Sequence, residues 1–301
     1  MNIRRTLPLM LAPLLMIAAV ACGDDDDSAG SSTNVTVGSS NFPESDLLAQ
    51  IYGQALAANG FQVKYQPGIG AREVYYKAIV NGEIDLVPEF TNSILSYVIK
   101  SKDPSKSPTA TNVDEQINEL GKELPDTLEV LTPSTAEDKD VIACTADAAK
   151  EYNLTDFTSL AKASKDITIA GQPEFKTRSP MGLVGLKDNY GAEFKEFKPL
   201  AVAAVADALK AKQVDCGNLF STMSVITTGG FKVLDDDKHT VRNEAVLPLV
   251  RKSAVSDKMK STLDNIDKQL NTDVLRALMV KIEVDGAAPD VVAKEWLASL
   301  K

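Results

Sequence analysis

Side chains that commonly perform catalysis are scarce in this chain of 301 residues. Its only histidine, His239, follows Asp235–Asp237 in a charged segment typical of a solvated loop. Carboxylate pairs such as Asp138 and Asp140 could exchange protons with a substrate, yet most such pairs are simply solvated. The sequence contains none of the patterns G-x-S-x-G, H-E-x-x-H or the phosphate-binding P-loop. We therefore predict no catalytic residue and no enzyme activity.

Two further stretches fall short of a cofactor or metal site. Gly68 and Gly70 begin a dinucleotide-binding pattern, but its third glycine would stand where the chain has Glu73. The acidic run Asp235–Asp237 lacks the glycine and the final glutamate of a calcium-binding EF-hand loop. We predict no cofactor and no bound metal.

The N-terminus carries the features of an export signal. Arg4–Arg5 precede an apolar stretch over residues 7–20, and Cys22 follows shortly after it. This stretch is shorter than the ~20 residues that a membrane-spanning helix needs. We predict a lipoprotein signal peptide over residues 1–21, with Cys22 as the lipid-bearing residue. An ordinary signal peptide with an incidental cysteine is the alternative.

The segment that begins at Cys22 predicts where the chain resides. Residues 22–33 are acidic, small and polar, so they cannot bury a core and are expected to form a flexible tether. We therefore predict an extracytoplasmic protein, anchored to the outer face of the cell membrane through its lipid alone.

The other two cysteines, Cys144 and Cys216, are far apart and do not have the C-x-x-C spacing of a metal site. Both lie in strand-like segments. Outside the cytoplasm a disulfide between them is chemically permitted, and two buried free thiols are the alternative. Either role would be structural.

The charge of the chain argues against nucleic acid as a partner. The net charge is −10, and lysines and arginines are scattered rather than gathered into a basic stripe. We expect a monomer that meets the membrane only through its anchor.

The elements that would position a binding site follow from the spacing of apolar residues. Segments 35–37, 61–65 and 84–87 alternate as strands, and the stretches between them have helical periodicity. This β-α-β-α-β order indicates a parallel sheet covered by helices. A second α/β pattern begins near Glu137, which predicts two lobes with a cleft between them. The predicted lobes comprise residues 34–136 plus 240–301 and residues 137–239.

Four motifs resemble one family along most of the chain. They are V-G-S-S-N-F-P-E-S-D-L-L-A-Q-I-Y (Val37–Tyr52), N-G-E-I-D-L-V-P-E-F-T-N-S (Asn81–Ser93), P-E-F-K-T-R (Pro173–Arg178) and V-D-C-G-N-L-F-S-T (Val214–Thr222). This series resembles the glycine betaine/choline-type ABC transporter substrate-binding proteins, often called OpuAC or ProX-like. The resemblance implies a type II periplasmic-binding fold, in which two α/β lobes close on a solute for delivery to an ABC transporter permease.

The resemblance also implies which residues meet the solute. A quaternary ammonium group is held by aromatic faces, which points to Phe90 and Phe220. The carboxylate at the other end of the solute would meet Arg178, which matches the arginine of the family's P-E-F-x-x-R turn. Ligands of open α/β sheets bind beyond the carboxyl ends of the strands. The predicted polar ligand contacts at such positions are Asn41, Ser45, Thr91, Ser93, Asp140, Ser221 and Thr222.

The sequence departs from the family at its aromatic positions. The family's Y-P-E-Y-T-G-T reads V-P-E-F-T-N-S here, so Val87 and Phe90 stand where tyrosines are common. A glycine betaine-like or other small zwitterionic solute is the predicted ligand. The alternatives are the same receptor class for another small polar solute, such as an amino acid, or an enzyme or sensor built on a similar two-lobe fold.

Overall fold

The computed structural model describes residues 33–300. The predicted signal peptide, the predicted lipid attachment at Cys22 and the predicted tether up to residue 32 lie outside the described residues. Within residues 33–300, every helix is too short or too polar to cross a membrane.

Strands and helices alternate along most of the described chain. The first part contains β1 (Asn34–Gly38), α1 (Pro43–Ala58), β2 (Gln62–Gln66), α2 (Arg72–Asn81), β3 (Leu86–Phe90), α3 (Thr91–Lys102), α4 (Val113–Glu123) and β4 (Leu128–Val130). The middle part contains β5 (Asp140–Cys144), α5 (Ala146–Glu151), α6 (Phe157–Ala163), β6 (Thr168–Gly171), α7 (Leu183–Tyr190), β7 (Glu196–Pro199), α8 (Val202–Lys210), β8 (Cys216–Phe220), α9 (Val225–Thr228) and β9 (Lys232–Val233). The last part contains β10 (Val246–Arg251), α10 (Asp257–Asp267), α11 (Thr272–Glu283) and α12 (Pro289–Ser299).

The strands form two five-stranded mixed sheets. The first has the order β2-β1-β3-β10-β4, and the second has the order β7-β6-β8-β5-β9. In the first sheet β1 runs parallel to β2 and β3, whereas β10 returns antiparallel between β3 and β4. We call each sheet with the helices packed on it a lobe. The sheets draw on the two predicted regions of sequence, and the lobe boundaries proposed at residues 136/137 and 239/240 stay a prediction.

Helix α1 shows why the first lobe folds as its sequence predicts. Pro43 occupies the first helical position, where its missing N–H costs nothing. Leu47, Leu48 and Ile51 recur on one face and are fully buried. They share one apolar core with the C-terminal helices, in which Trp296 of α12 takes part, so the end of the chain returns to complete the first lobe.

The third strand differs from its prediction. We expected it to end at Val87 and Pro88 to begin the exit loop, but β3 continues to Phe90. Pro88 stands opposite Pro248 of β10. Two prolines cannot exchange N–H bonds, so they must form one of the non-hydrogen-bonded pairs that alternate along antiparallel strands. Proline is therefore tolerated inside this strand, and Phe90 is its last residue.

The structure joins Cys144 and Cys216 in a disulfide. The two residues face each other in the antiparallel register of β5 and β8, and both are fully buried. The bond therefore ties the two central strands of the second sheet, with a structural role.

Candidate functional site

A cleft of about 780 Å³ is lined by residues from both lobes. Phe90, at the end of β3, contributes from the first lobe, and Phe220, at the end of β8, contributes from the second. Ligands of open α/β sheets bind at such strand ends. A volume of this size suits a small-molecule site, for which about 300–1,000 Å³ is usual.

An aromatic pair lies on the first-lobe side of the cleft. The rings of Phe42 and Phe90 stack with 6.3 Å between centroids and 29° between planes. Phe42 is 40% exposed whereas Phe90 is 8% exposed, so Phe42 is the more accessible ring of the pair at the cleft. Sequence analysis missed Phe42, although it directly precedes α1 at a strand-exit segment. Stacked or single aromatic faces attract cations through the quadrupole of the ring.

Arg178 lines the second-lobe side of the cleft and is held there by two polar residues. It donates from Nη1 and Nη2 to the carboxylate of Asp140, at 3.2 and 3.0 Å, and from Nη2 to Oδ1 of Asn218, at 3.1 Å. Its Nε is buried and has no hydrogen-bond partner among residues 33–300. Asp140 therefore serves as the counter-charge of Arg178 here. The three bonds leave one N–H of Nη1 unused as well as the Nε–H. Because Nε is shielded, the N–H of Nη1 is the donor available to a ligand oxygen.

A buried carboxylate fixes a second arginine at the first-lobe wall. Glu89 is fully buried and accepts from Nε and Nη2 of Arg72, at 3.0 and 3.1 Å, and from the hydroxyl of Tyr75, at 2.8 Å. It also accepts from the backbone N–H of Phe90, at 3.1 Å. Burial alone would lower the pKa of Arg72, but the Glu89 carboxylate raises it overall. Arg72 lines the cleft as a cation that Glu89 already neutralises.

Glu244 is the carboxylate that approaches the cleft just before β10 begins. It accepts from Nδ2 of Asn92, at 3.3 Å, and from the N–H and hydroxyl of Ser93, at 3.1 and 3.0 Å. Burial raises the pKa of Glu244 to about 7, although these donors and the more distant Arg72 pull it down. Ser93, one of the predicted contacts, thus lines the cleft and also orients Glu244.

Five of the predicted polar contacts do not line the cleft. Asn41 is exposed, and Ser45 is buried, where its Oγ accepts from the N–H of Ser40 at 2.9 Å. The other three, Thr91, Ser221 and Thr222, are buried as well. The structure therefore gathers Phe90, Ser93, Asp140, Arg178 and Phe220 at the cleft and leaves these five outside its lining.

The buried hydroxyls instead bind the two segments that connect the lobes. Thr91 accepts from the N–H of Ala245, at 3.2 Å. Ser221 accepts from the N–H of Lys139 and donates to the carbonyl of Glu137, both at 2.9 Å. The connecting segments also pair with each other through a bridge between Glu137 and Ala245. The hydroxyl groups at these strand ends therefore hold in place the segments that connect the lobes.

Two carboxylates, Asp138 and Glu44, interact near these connections, and neither forms an ion pair within the described range 33–300. Thr222 donates to Oδ1 of Asp138, at 2.7 Å. Burial raises the pKa of Asp138 to about 6, and Asp140 and Glu283 add to the effect. Burial also raises the pKa of Glu44, at the start of α1, well above its ordinary value, and the Asp138 carboxylate raises it further. Both carboxyl groups therefore keep their protons to a higher pH in the folded protein than they would as free side chains.

Comparisons with known proteins find similar sequences over most of this chain. A family model described as the substrate binding domain of ABC-type glycine betaine transport systems matches residues 33–299. The glycine betaine-binding protein YehZ of Escherichia coli K12 is 26% identical over 303 aligned positions, which cover 97% of this chain and 97% of that protein. The ergothioneine transport permease/ergothioneine binding protein EgtU of Helicobacter pylori G27 is 22% identical, and the match covers 85% of this chain but only 46% of that longer protein.

Solved structures show the same fold. A crystal structure of a glycine betaine/carnitine/choline ABC transporter protein superposes with a TM-score of 0.77 at 22% identity, over 88% of this chain and 98% of that one. Apo YehZ from Escherichia coli superposes with a TM-score of 0.72 at 25% identity, over 88% and 98%. The predicted type II periplasmic-binding fold, with two α/β lobes and a cleft between them, is confirmed.

Proposed function

Because the chain belongs to the family of substrate-binding domains of ABC-type glycine betaine transport systems, we propose that its cleft captures glycine betaine or a related quaternary ammonium or zwitterionic solute. The solute would then be delivered to an ABC transporter permease. Members of this family are extracytoplasmic receptors rather than enzymes. The observation that carries the proposal is the meeting of aromatic faces from both lobes with an arginine in one cleft.

The two ends of a betaine need different partners, and the cleft offers both. The trimethylammonium group has no N–H to donate, so the faces of Phe42, Phe90 and Phe220 suit it. The carboxylate needs a donor, and the N–H of Arg178 Nη1 that Asp140 does not use can supply one. Because Phe90 and Arg178 belong to different lobes, a bound solute would link the lobes. Ligand binding would therefore favour the closed arrangement over the open one.

Isothermal titration calorimetry tests the ligand assignment. The panel is glycine betaine, choline, carnitine, proline betaine and ergothioneine, the last because the name of the Helicobacter relative includes it. We expect at least one of these to bind, and we expect Phe90→Leu and Phe220→Leu each to weaken it by about 2- to 30-fold, the range of one cation–π contact.

Phe231→Leu is the matched control, since Phe231 packs in the second lobe away from the cleft lining. If no member of the panel binds, the betaine assignment is wrong while the receptor class stands. If both cleft variants bind as tightly as the wild type, the aromatic contact is wrong.

A second candidate is a small polar solute with a primary ammonium, such as an amino acid. It is favoured by the aromatic set of the cleft, in which Phe90 and Phe220 replace tyrosines, and by Glu244, which could accept N–H bonds. An amino-acid panel in the same calorimeter separates the two candidates. Binding of amino acids with silence toward quaternary ammonium solutes would select the second.

The anchoring of the receptor also remains our proposal. The sequence around Cys22 supports a lipid-bearing N-terminus on a monomeric, extracytoplasmic receptor. Cys22→Ser should move the protein from the membrane fraction to the soluble fraction. Unchanged fractionation would reject the lipid anchor.

A further inference from the structure

Glu244 is placed beside the aromatic pair by the register of the first sheet. Val246 of β10 stands opposite Phe90 of β3, and Thr91 and Ala245 continue this pairing through hydrogen bonds. Glu244 therefore comes next, opposite the first turn of α3, where Asn92 and Ser93 bind its carboxylate. Because Phe90 is the residue just before α3, the ring and the carboxylate share one end of this helix.

The binding of Glu244 fixes its position without cancelling its charge. All its partners are neutral donors, and one of them is a backbone N–H at the positive end of a 12-residue helix. Among residues 33–300, no lysine, arginine or histidine lies within ion-pair distance of Glu244. Asp140 differs, because it forms an ion pair with Arg178 at 3.0 Å.

The cation that acts electrostatically on Glu244 is bound by another carboxylate. Arg72 is the charged group that acts on Glu244, but its Nε and Nη2 are both bound to Glu89. Arg242, two residues before Glu244, donates to the carbonyl of Ala110 instead. An uncompensated carboxylate thus lines the same cleft as two phenylalanine rings.

We propose that Glu244 is the specificity-determining counter-charge for the cationic end of the solute, with Phe42 and Phe90 forming the aromatic face beside it. The proposal rests on the proposed function, because it names the solute class that the cleft accepts. A quaternary ammonium needs negative charge but no hydrogen-bond acceptor. Glu244 fits this need because Asn92 and Ser93 already use three of the roughly four acceptor sites of its carboxylate, so that it offers mainly charge. Solutes with only negative charge would be rejected.

Proton linkage gives the proposal a signature of its own. Since burial raises the pKa of Glu244 to about 7, the empty cleft holds a mixture of acid and carboxylate at neutral pH. A bound cation favours the carboxylate, so binding releases a proton at pH values near and below 7. The affinity for the solute then falls by up to about tenfold for each pH unit below 7. Above about pH 8 it stays constant.

Calorimetry with glycine betaine tests this, with Glu244→Gln as the variant and Glu196→Gln as the control. Glutamine keeps the shape and one acceptor for Ser93, so the fold should be retained. Glu196 is an exposed carboxylate of β7 in the second lobe, outside the cleft lining. At pH 8 we expect Glu244→Gln to bind at least fivefold more weakly and Glu196→Gln to bind within twofold of the wild type.

A measurement on the wild type avoids reliance on the variant. Titrations at pH 7 in phosphate and in Tris buffer should show release of about half a proton per solute bound. Binding without proton release, or binding by Glu244→Gln within twofold of the wild type at pH 8, overturns the role of Glu244 and leaves the proposed function intact. Failure of the wild type to bind any cationic solute of the panel overturns both.

Discussion

Replacing Glu89 by glutamine should strongly destabilise the first lobe. Glu89 lies in β3 with no exposed surface, and Arg72, Tyr75 and the backbone N–H of Phe90 all donate to it. Glu89→Gln keeps the volume and one oxygen, but it removes the negative charge and places an amide N–H₂ where two donors now point. The guanidinium of Arg72 would then be left without its counter-charge.

The size of the effect follows from burial. Removing one partner of a buried ion pair costs about 3–5 kcal/mol, because the other charge stays behind uncompensated. The side chain of Arg72 is 27% exposed, so it can turn partly toward water after the substitution. We therefore expect the lower end of that range, about 3 kcal/mol in the free energy of unfolding.

Urea denaturation followed by circular dichroism measures this loss. Glu123→Gln is the matched control, since Glu123 pairs with Lys102 at 2.8 Å with side chains that are 35% and 54% exposed. An exposed pair of this kind contributes about 0–1 kcal/mol. The double variant Arg72→Met/Glu89→Gln should recover part of the stability because no unpaired charge remains. A loss below about 1 kcal/mol for Glu89→Gln, no larger than that of the control, would refute the reasoning.

The same substitution should also reach the binding site. Arg72 already interacts electrostatically with Glu244 across the cleft wall. Once released by Glu89→Gln, it is free to move toward Glu244 and to neutralise it. A cationic solute would then bind more weakly to Glu89→Gln, although residue 89 itself lies in the core of the sheet. Calorimetry on the folded fraction of this variant would detect the change.

Two other substitutions test the buried groups of the second lobe and of the lobe connections. Burial raises the pKa of Asp138 from 3.8 to about 6, so the folded protein binds its proton more tightly and loses stability as pH rises between these values. Asp138→Asn removes that loss, so above pH 6 the free energy of unfolding should rise by up to about 3 kcal/mol. Solvent screening at this partly exposed site reduces the gain. An equal increase in melting temperature at pH 4 and pH 8 would contradict this prediction. Removing the Cys144–Cys216 disulfide, which closes a separation of 72 residues, should cost about 2–4 kcal/mol of unfolding free energy. Unchanged stability of Cys144→Ala/Cys216→Ala would show that the bond constrains the unfolded chain little.

Most of the fold could be read from local patterns. The alternation of Phe61, Val63 and Tyr65 predicts β2, and the helical spacing of Leu47, Leu48 and Ile51 predicts α1. The predicted end of β3 at Val87 was wrong because proline usually ends a strand pattern. Here Pro88 is tolerated inside the strand because it stands opposite Pro248, which is distant in sequence. A local pattern cannot show which residue will stand opposite.

The candidate site was only partly predictable for the same reason. Phe90 and Phe220 could be found because the family resemblance points to aromatic residues there, and both stand at the ends of strands. Glu244 could not, because it enters the site only when β10 returns antiparallel beside β3. In the sequence it stands in a polar segment that reads as a solvated loop. Hydroxyls such as Ser221 were expected at the ligand because sequence cannot show that the crossing chain will bind them first.

The pairing of charges in the cleft bears on which solutes can close it. Glu89 neutralises Arg72 and Asp140 neutralises Arg178, whereas Glu244 in the first lobe is bound by neutral donors and keeps its charge uncompensated. In the second lobe, Arg178 keeps an unused N–H on Nη1. A solute with a cation at one end and a carboxylate at the other would use both, and would therefore link the lobes. A solute with a cation alone would contact the rings but leave the donor of Arg178 unused, and so would gain less from closure. The arrangement thus favours betaines over simple quaternary amines, even where both contact the same phenylalanine rings.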